Sequence, residues 1–131
     1  MSMTETNGIA LAADKTEQRR PYILHLRIRA ADGKRDALIA FLREAVPYYE
    51  EPGGISIRLL QDCNDPDSFV EIAEYESRAA YEYDAARVES DPRMRAYIER
   101  WRSLLAGPPV VEVFTELTDN IRDRHPDRVS S

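Results

Sequence analysis

The side chains best suited to chemistry in this sequence are one histidine and a set of aromatic rings. The imidazole group titrates near neutrality, so His25 could accept a proton from a weakly acidic hydroxyl. Tyr75, Tyr81 and Tyr83 lie within FVEIAEYESRAAYEYD, Phe69 to Asp84. His25, Tyr75 and Tyr81 form the candidate catalytic set. Tyr22, Tyr83, Tyr97 and Trp101 are the candidate substrate-binding set, because rings with a polar tip can both stack on a flat molecule and hydrogen-bond to it. Each has a plainer reading: His25 can bond a neighbouring strand carboxylate such as Glu112, and Tyr97 and Trp101 lie on an apolar helix stripe that serves equally well as core. Tyr22 and Tyr75 fall at strand ends, where hydroxyls can face a cavity mouth or simply pack. Arg27, Arg29 and Arg58 could anchor an anion, or be neutralised by Glu74, Glu112 and Glu116 across the sheet.

These residues need elements to position them. Tyr22 to Ala30 alternates, with Tyr22, Leu24, Leu26 and Ile28 on one face and Ile23, His25, Arg27 and Arg29 on the other, which predicts a strand. After Asp32-Gly33, Leu38, Phe41, Leu42 and Ala45 recur at helical spacing, predicting a helix over 34–46 that stops at Pro47. Tyr48-Tyr49-Glu50-Glu51 would then form a loop that could act as a lid or pack the helix end. Ile55 to Gln61 is a second strand, and the turn-rich Asp62 to Ser68 predicts a hairpin into a third strand, Phe69 to Tyr75. Ser77 stands as an N-cap before a helix over 78–89, and Asp91-Pro92 opens another whose face carries Met94, Tyr97, Ile98, Trp101, Leu104 and Leu105, ending before Gly107-Pro108-Pro109. Val110 to Leu117 is the last strand. The order β-α-β-β-α-β predicts an α+β, ferredoxin-like fold with a four-stranded antiparallel sheet and helices on one face. The other face mixes His25, Arg27, Arg29, Arg58, Glu112 and Glu116 with Ile23, Val70, Ile72 and Phe114, a composition that fits a second copy packed against it as a homodimer.

Composition removes several function classes. At 131 residues with 43% hydrophobic content, the chain fits one domain, since domains typically run to about 100–150 residues. The expected organisation is a flexible N-terminal tail at 1–20, a domain at 21–117 and a polar C-terminal tail at 118–131, with a short helix conceivable at Asp119 to Arg124 and His125 left in the tail. Charges balance within each tail, so the net charge of −6 resides in 21–117, where no lysine or arginine cluster offers a phosphate-tracking surface. Nucleic acid is therefore not an expected partner. No apolar run reaches the roughly 20 residues of a membrane helix, and Ile9 to Ala13 is too short for a secretory signal, so a cytoplasmic location away from membranes is expected. Cys63 has no cysteine partner for a disulfide and is expected to be a loop residue. GxGxxG, P-loop and HExxH patterns are absent, and no metal-binding spacing of His, Cys and carboxylates occurs.

The strand YILHLRIRA, the helix GKRDALIAFLREAV, the strand entry PGGISIRLLQD, and FVEIAEYESRAAYEYD with the helix that ends before VVEVFTEL together resemble the antibiotic biosynthesis monooxygenase family of the dimeric α+β barrel superfamily. The resemblance spans 21–117. It implies a small cavity between sheet and helices, and oxidation by O2 of a small aromatic, phenol- or quinol-like substrate with no cofactor, through deprotonation to an electron-rich anion. The rival reading is a non-catalytic dimeric barrel that binds a small apolar ligand or a partner. Haem-degrading relatives place an axial histidine near Tyr81 and Tyr83, whereas this chain has no histidine from Ser77 to Gly107, which disfavours haem degradation.

Overall fold

The computed structural model describes residues 20–122. The expectations for 1–19, for 123–131 and for His125 lie outside the described residues. Its elements are β1 (Tyr22–Arg29), α1 (Arg35–Glu50), β2 (Ile55–Asp62), β3 (Asp65–Tyr75), α2 (Arg78–Ser90), α3 (Pro92–Ser103), β4 (Val110–Thr115) and a one-turn α4 (Thr118–Ile121). The strands form one four-stranded sheet in the order β2-β3-β1-β4, and each neighbouring pair is antiparallel. This is the predicted ferredoxin-like α+β fold. None of the helices in the described residues is long and apolar enough to cross a membrane.

The alternation of β1 is realised as a two-faced strand at the centre of the sheet. Ile28 and Ala30 are buried against Leu38, Phe41, Leu42 and Ala45 of α1, and Tyr97, Trp101 and Leu105 close the same cluster from the α3 side. Helix α2 differs, because none of its residues is fully buried. Its start is fixed instead by Ser77, whose Oγ accepts the Ala80 N–H at 3.1 Å, and α3 starts where Asp91 accepts the Arg93 N–H at 2.9 Å with Pro92 in the first turn. Such caps satisfy donors that a helix leaves unpaired. At the entry to β2, Gly54 has φ +75°, a left-handed backbone that favours glycine.

Several boundaries differ from expectation for identifiable reasons. Helix α1 continues through Pro47 to Glu50, so Tyr48-Tyr49 is helical and is no loop. Proline removes one ladder bond, but tertiary contacts hold the following turn: the Tyr48 hydroxyl donates to Asp91, and Arg87 donates to the Tyr48 carbonyl at 3.1 Å. The hairpin is also tighter than the turn-rich sequence suggests, with only Cys63 and Asn64 between β2 and β3. Asp62 accepts the Asn64 N–H at 2.7 Å, Asp65 accepts from Ser68 Oγ at 2.7 Å and from Arg29, and a bulge at Gln61/Asp62 absorbs the irregularity. Cys63 sits exposed at this tip. Helix α3 ends at Ser103, because Leu105 leaves it to bridge Ala30. Strand β4 stops at Thr115, and the chain turns into α4 from Thr118.

Leu38 is fully buried, at 0% exposure. Leu38→Ala should lower unfolding free energy by about 2–5 kcal/mol. Urea unfolding of the two proteins measures this, and a loss below about 1 kcal/mol would mean that the α1–sheet seam collapses onto the gap.

Candidate active site

A cavity of about 220 Å³ lies between the sheet and the helices. Leu24, Leu26, Ile55 and Ile57 supply an apolar floor, while Met94, Ile98 and Val88 form the helical wall. Four groups with titratable or hydrogen-bonding chemistry break this apolar lining: Glu71, Tyr75, Asp84 and Trp101. Tyr49, from the last turn of α1, stands beside them. Exposed Arg102 and Val111 belong to the lining too, so this end is the mouth.

Glu71 projects from β3 on the same side as Phe69, Ala73 and Tyr75, and is only 4% exposed. Burial pushes its pKa up to about 7, with the Trp101 indole N–H acting weakly in the opposite direction. That indole does not reach hydrogen-bond geometry: Glu71 Oε1 and Trp101 Nε1 are both buried without a partner. Asp84 Oδ1 is a third such atom, and three buried polar atoms without a hydrogen-bond partner on residues that line one cavity are costly to the fold. Glu71 and Trp101 are also the complement of a ligand hydroxyl, which can give a proton to the carboxylate and accept one from the indole.

The remaining polar groups form a connected chain. The Tyr75 hydroxyl donates to Asp84 Oδ2 at 2.6 Å, and Asp84 Oδ1 faces the Arg87 guanidinium at 3.7 Å. Arg87 in turn donates to the main-chain carbonyls of Tyr48 and Tyr49. Burial, followed by the bond to Asp84, holds the Tyr75 pKa far above the usual phenol value. Tyr75 therefore stays protonated at neutral pH and acts as a donor. Tyr49 is likewise raised, first by burial and then by the charge of Glu71.

The seven sequence-proposed residues separate into groups. Tyr75 and Trp101 line the cavity. Tyr81 packs edge-on against Tyr75 at 5.4 Å and stacks with Tyr22 at 4.9 Å, so these two rings close its end without lining it. Tyr97 stands behind Tyr49, with ring centroids 6.1 Å apart, in the main core. Tyr83 is 59% exposed and points away. His25 occupies the helix-free face, where its ring lies 4.8 Å from Phe114. The carboxylate expected to hold His25, Glu112, is instead taken by Arg27 at 2.9 Å. Arg29 pairs with Asp65 and Asp67 rather than with glutamates of the sheet. A larger open groove on that face is lined by Arg27 and Arg29, whose charges are thus already compensated.

Glu71 and Asp84 were missed as site residues, although each leaves a signal in the sequence. Strand parity puts Glu71 inward among Phe69, Ala73 and Tyr75, where a carboxylate interrupts an apolar face. Asp84 falls in the helical stripe of Ala80 and Val88. Among the described residues, no three His, Cys, Asp or Glu side chains gather as a metal-binding group.

The profile of one family, described as antibiotic biosynthesis monooxygenase, matches residues 21–87. The chain belongs to this family. The match ends inside α2, and the rest of the fold is covered by likeness to solved structures. A protein of Chloroflexus aurantiacus bearing the family name is 28% identical, with TM-score 0.58 over 73% of this chain and 92% of the other. A Pseudomonas aeruginosa protein is 25% identical, with TM-score 0.60 over 76% and 97%. SnoaB, a cofactor-independent oxygenase from Streptomyces nogalater, shares the fold at 17% identity, with TM-score 0.63 over 81% and 97%. No curated protein matches the sequence. Within the family frame, the cavity lies between sheet and helices.

The raised pKa of Glu71 has a stability consequence. Folding lifts the pKa from 4.5 to about 7, so the folded state holds the proton more tightly. The stability from Glu71 is fully present below pH 4.5 and is lost as pH rises to about 7, a loss on the order of 3 kcal/mol. Glu71→Gln removes the titration. The difference in unfolding free energy between variant and wild type should therefore shift toward the variant by that amount from pH 4.5 to pH 8.5, as measured by urea unfolding; a pH-independent difference would contradict the assignment.

Proposed function

We propose that this chain is a cofactor-independent monooxygenase that oxidises a small aromatic, phenol- or quinol-like substrate with O2 inside the sheet–helix cavity. The observation that carries the reading is the buried, unpartnered pair Glu71 Oε1 and Trp101 Nε1 in a cavity otherwise lined by apolar groups. A flat ring fits the apolar walls, and its hydroxyl would meet the carboxylate as base and the indole as donor. Family membership and the shared fold of the oxygenase SnoaB support the same reading.

The chemistry follows from charge. Transfer of the hydroxyl proton to Glu71 makes the carboxyl neutral and the substrate an anion, so the dry site holds one negative charge before and after. The Trp101 N–H then stabilises the new oxyanion without reorganising. An electron-rich anion of this kind reacts with O2 directly. For an anthrone-type methylene the balance is CH2 + O2 → C=O + H2O, in which the substrate supplies all the electrons. Tyr75, whose one hydroxyl proton is held by Asp84, packs at the inner end and leaves only its oxygen as an acceptor, with Tyr81 and Tyr22 behind it. This assignment moves the base from His25 to Glu71.

Oxygen-electrode assays with dithranol, substituted hydroquinones and flavonols, in the presence of a chelator, test the activity. Turnover should rise with pH through about 7 as Glu71 ionises, and Glu71→Gln should lower kcat by about 100-fold or more. Unchanged turnover in the variant, or loss of turnover with chelator, sinks the mechanism; binding without oxygen uptake by any probe returns the chain to the non-catalytic reading.

The same proposal includes a homodimer. Strand β4 is a sheet edge, and Val110 and Phe114 on its helix-free face are 56% and 45% exposed, an apolar surface of the kind that marks an interface. Sedimentation velocity should find a dimer at micromolar concentration and a monomer for Phe114→Glu. A stable monomeric wild type rules the dimer out.

A further inference from the structure

The cavity has polar groups at two depths, and they differ in kind. At depth, the lining offers a carboxyl and an indole N–H without partners. At the mouth, Arg102 is the only cation in the lining among the described residues. It occupies the last turn of α3 and is exposed.

The neighbouring arginines make Arg102 distinctive. Arg100, two positions before it, bonds Glu44 at 3.2 Å. Arg87 faces Asp84 and two carbonyls, and Arg93 lies over the Tyr48 and Tyr97 rings. Among the described residues, the Arg102 side chain has no ion pair, hydrogen bond or ring contact, even though Glu99 stands one helical turn away. A basic residue in a last turn complements the helix dipole, but that role does not require a place in a cavity lining. A guanidinium presents a planar fork of donors that matches a carboxylate.

The geometry points to a bipolar ligand: an aromatic body whose hydroxyl reaches the Glu71–Trp101 pair and whose opposite end carries a carboxylate held by Arg102 at the mouth. The preferred substrates are thus aromatic hydroxy acids, with Arg102 as the residue that selects them over neutral analogues. This rests on the proposed aromatic-binding function of the cavity and adds the charge of its ligand. Apolar walls bind the ring of acid and ester alike, so discrimination must come from the mouth. Because Arg102 is exposed and has no hydrogen bond, ion pair or ring contact among the described residues, its removal leaves the fold intact.

The test uses 6-hydroxy-2-naphthoate, which carries its two polar groups at opposite ends, and its methyl ester, titrated into the full chain by calorimetry. The acid should bind about tenfold or more tightly than the ester, as expected for one charge-assisted contact. Arg102→Gln should abolish that preference by weakening the acid alone, Arg102→Lys should restore part of it, and urea midpoints of both variants should match wild type. Equal affinity of acid and ester, or a preference that survives Arg102→Gln, overturns the role of Arg102 while leaving aromatic binding intact. If neither compound binds, the aromatic reading of the cavity fails and this inference fails with it.

Discussion

The Asp84 carboxylate is the joint on which the site depends. One oxygen accepts from Tyr75 on β3 at 2.6 Å, and the other faces Arg87, whose guanidinium holds the carbonyls that end α1. Sheet, α2 and α1 are therefore tied together by charge around a space whose other walls are hydrocarbon. Apolar walls alone gain by closing onto one another. Buried charge works against closure, because Asp84 and Arg87 must keep their geometry to offset their desolvation. The cavity is held open by polar groups that cannot move inward.

The same logic extends to the end of α1. The Tyr48 ring has the Arg87 and Arg93 guanidinium groups 4.8 and 4.4 Å from its centre, and its hydroxyl donates to the Asp91 cap of α3. That bond, the largest cause, holds the Asp91 carboxyl below the usual carboxylate range. A single tyrosine thus connects the turn after Pro47 to the junction of α2 and α3. These contacts explain why a helix-breaking residue leaves the helix unbroken.

Most of the fold was legible in the sequence, because alternation and helical spacing report which face of an element is buried. Tyr22 to Arg29 and the Leu38, Phe41, Leu42, Ala45 stripe needed no tertiary knowledge. Boundaries at Pro47, Asp65 and Ser103 were not legible, since each is set by partners distant in sequence: Arg87 and Asp91 for the first, Arg29 for the second, Ala30 for the third. The site was half legible. Tyr75 and Trp101 follow from rings on buried faces, whereas Glu71 and Asp84 required treating a carboxylate at an apolar position as information. His25 drew attention by its chemistry alone, and the parity of β1 had already set it on the opposite face from Leu24 and Leu26.

Helix α2 contributes Asp84 and Val88 to the cavity while burying none of its residues fully. Its attachment rests on the Asp84 contacts to Tyr75 and Arg87 and on Ala80 and Tyr81, partly buried residues that pack against Tyr22 and Tyr75. A helix without a fully buried side chain opens at lower free-energy cost than helices anchored in the core, as α1 and α3 are. An occupant of the cavity that contacts Asp84 and Val88 would therefore fasten α2 down, adding apolar contact to what Ala80 and Tyr81 already supply.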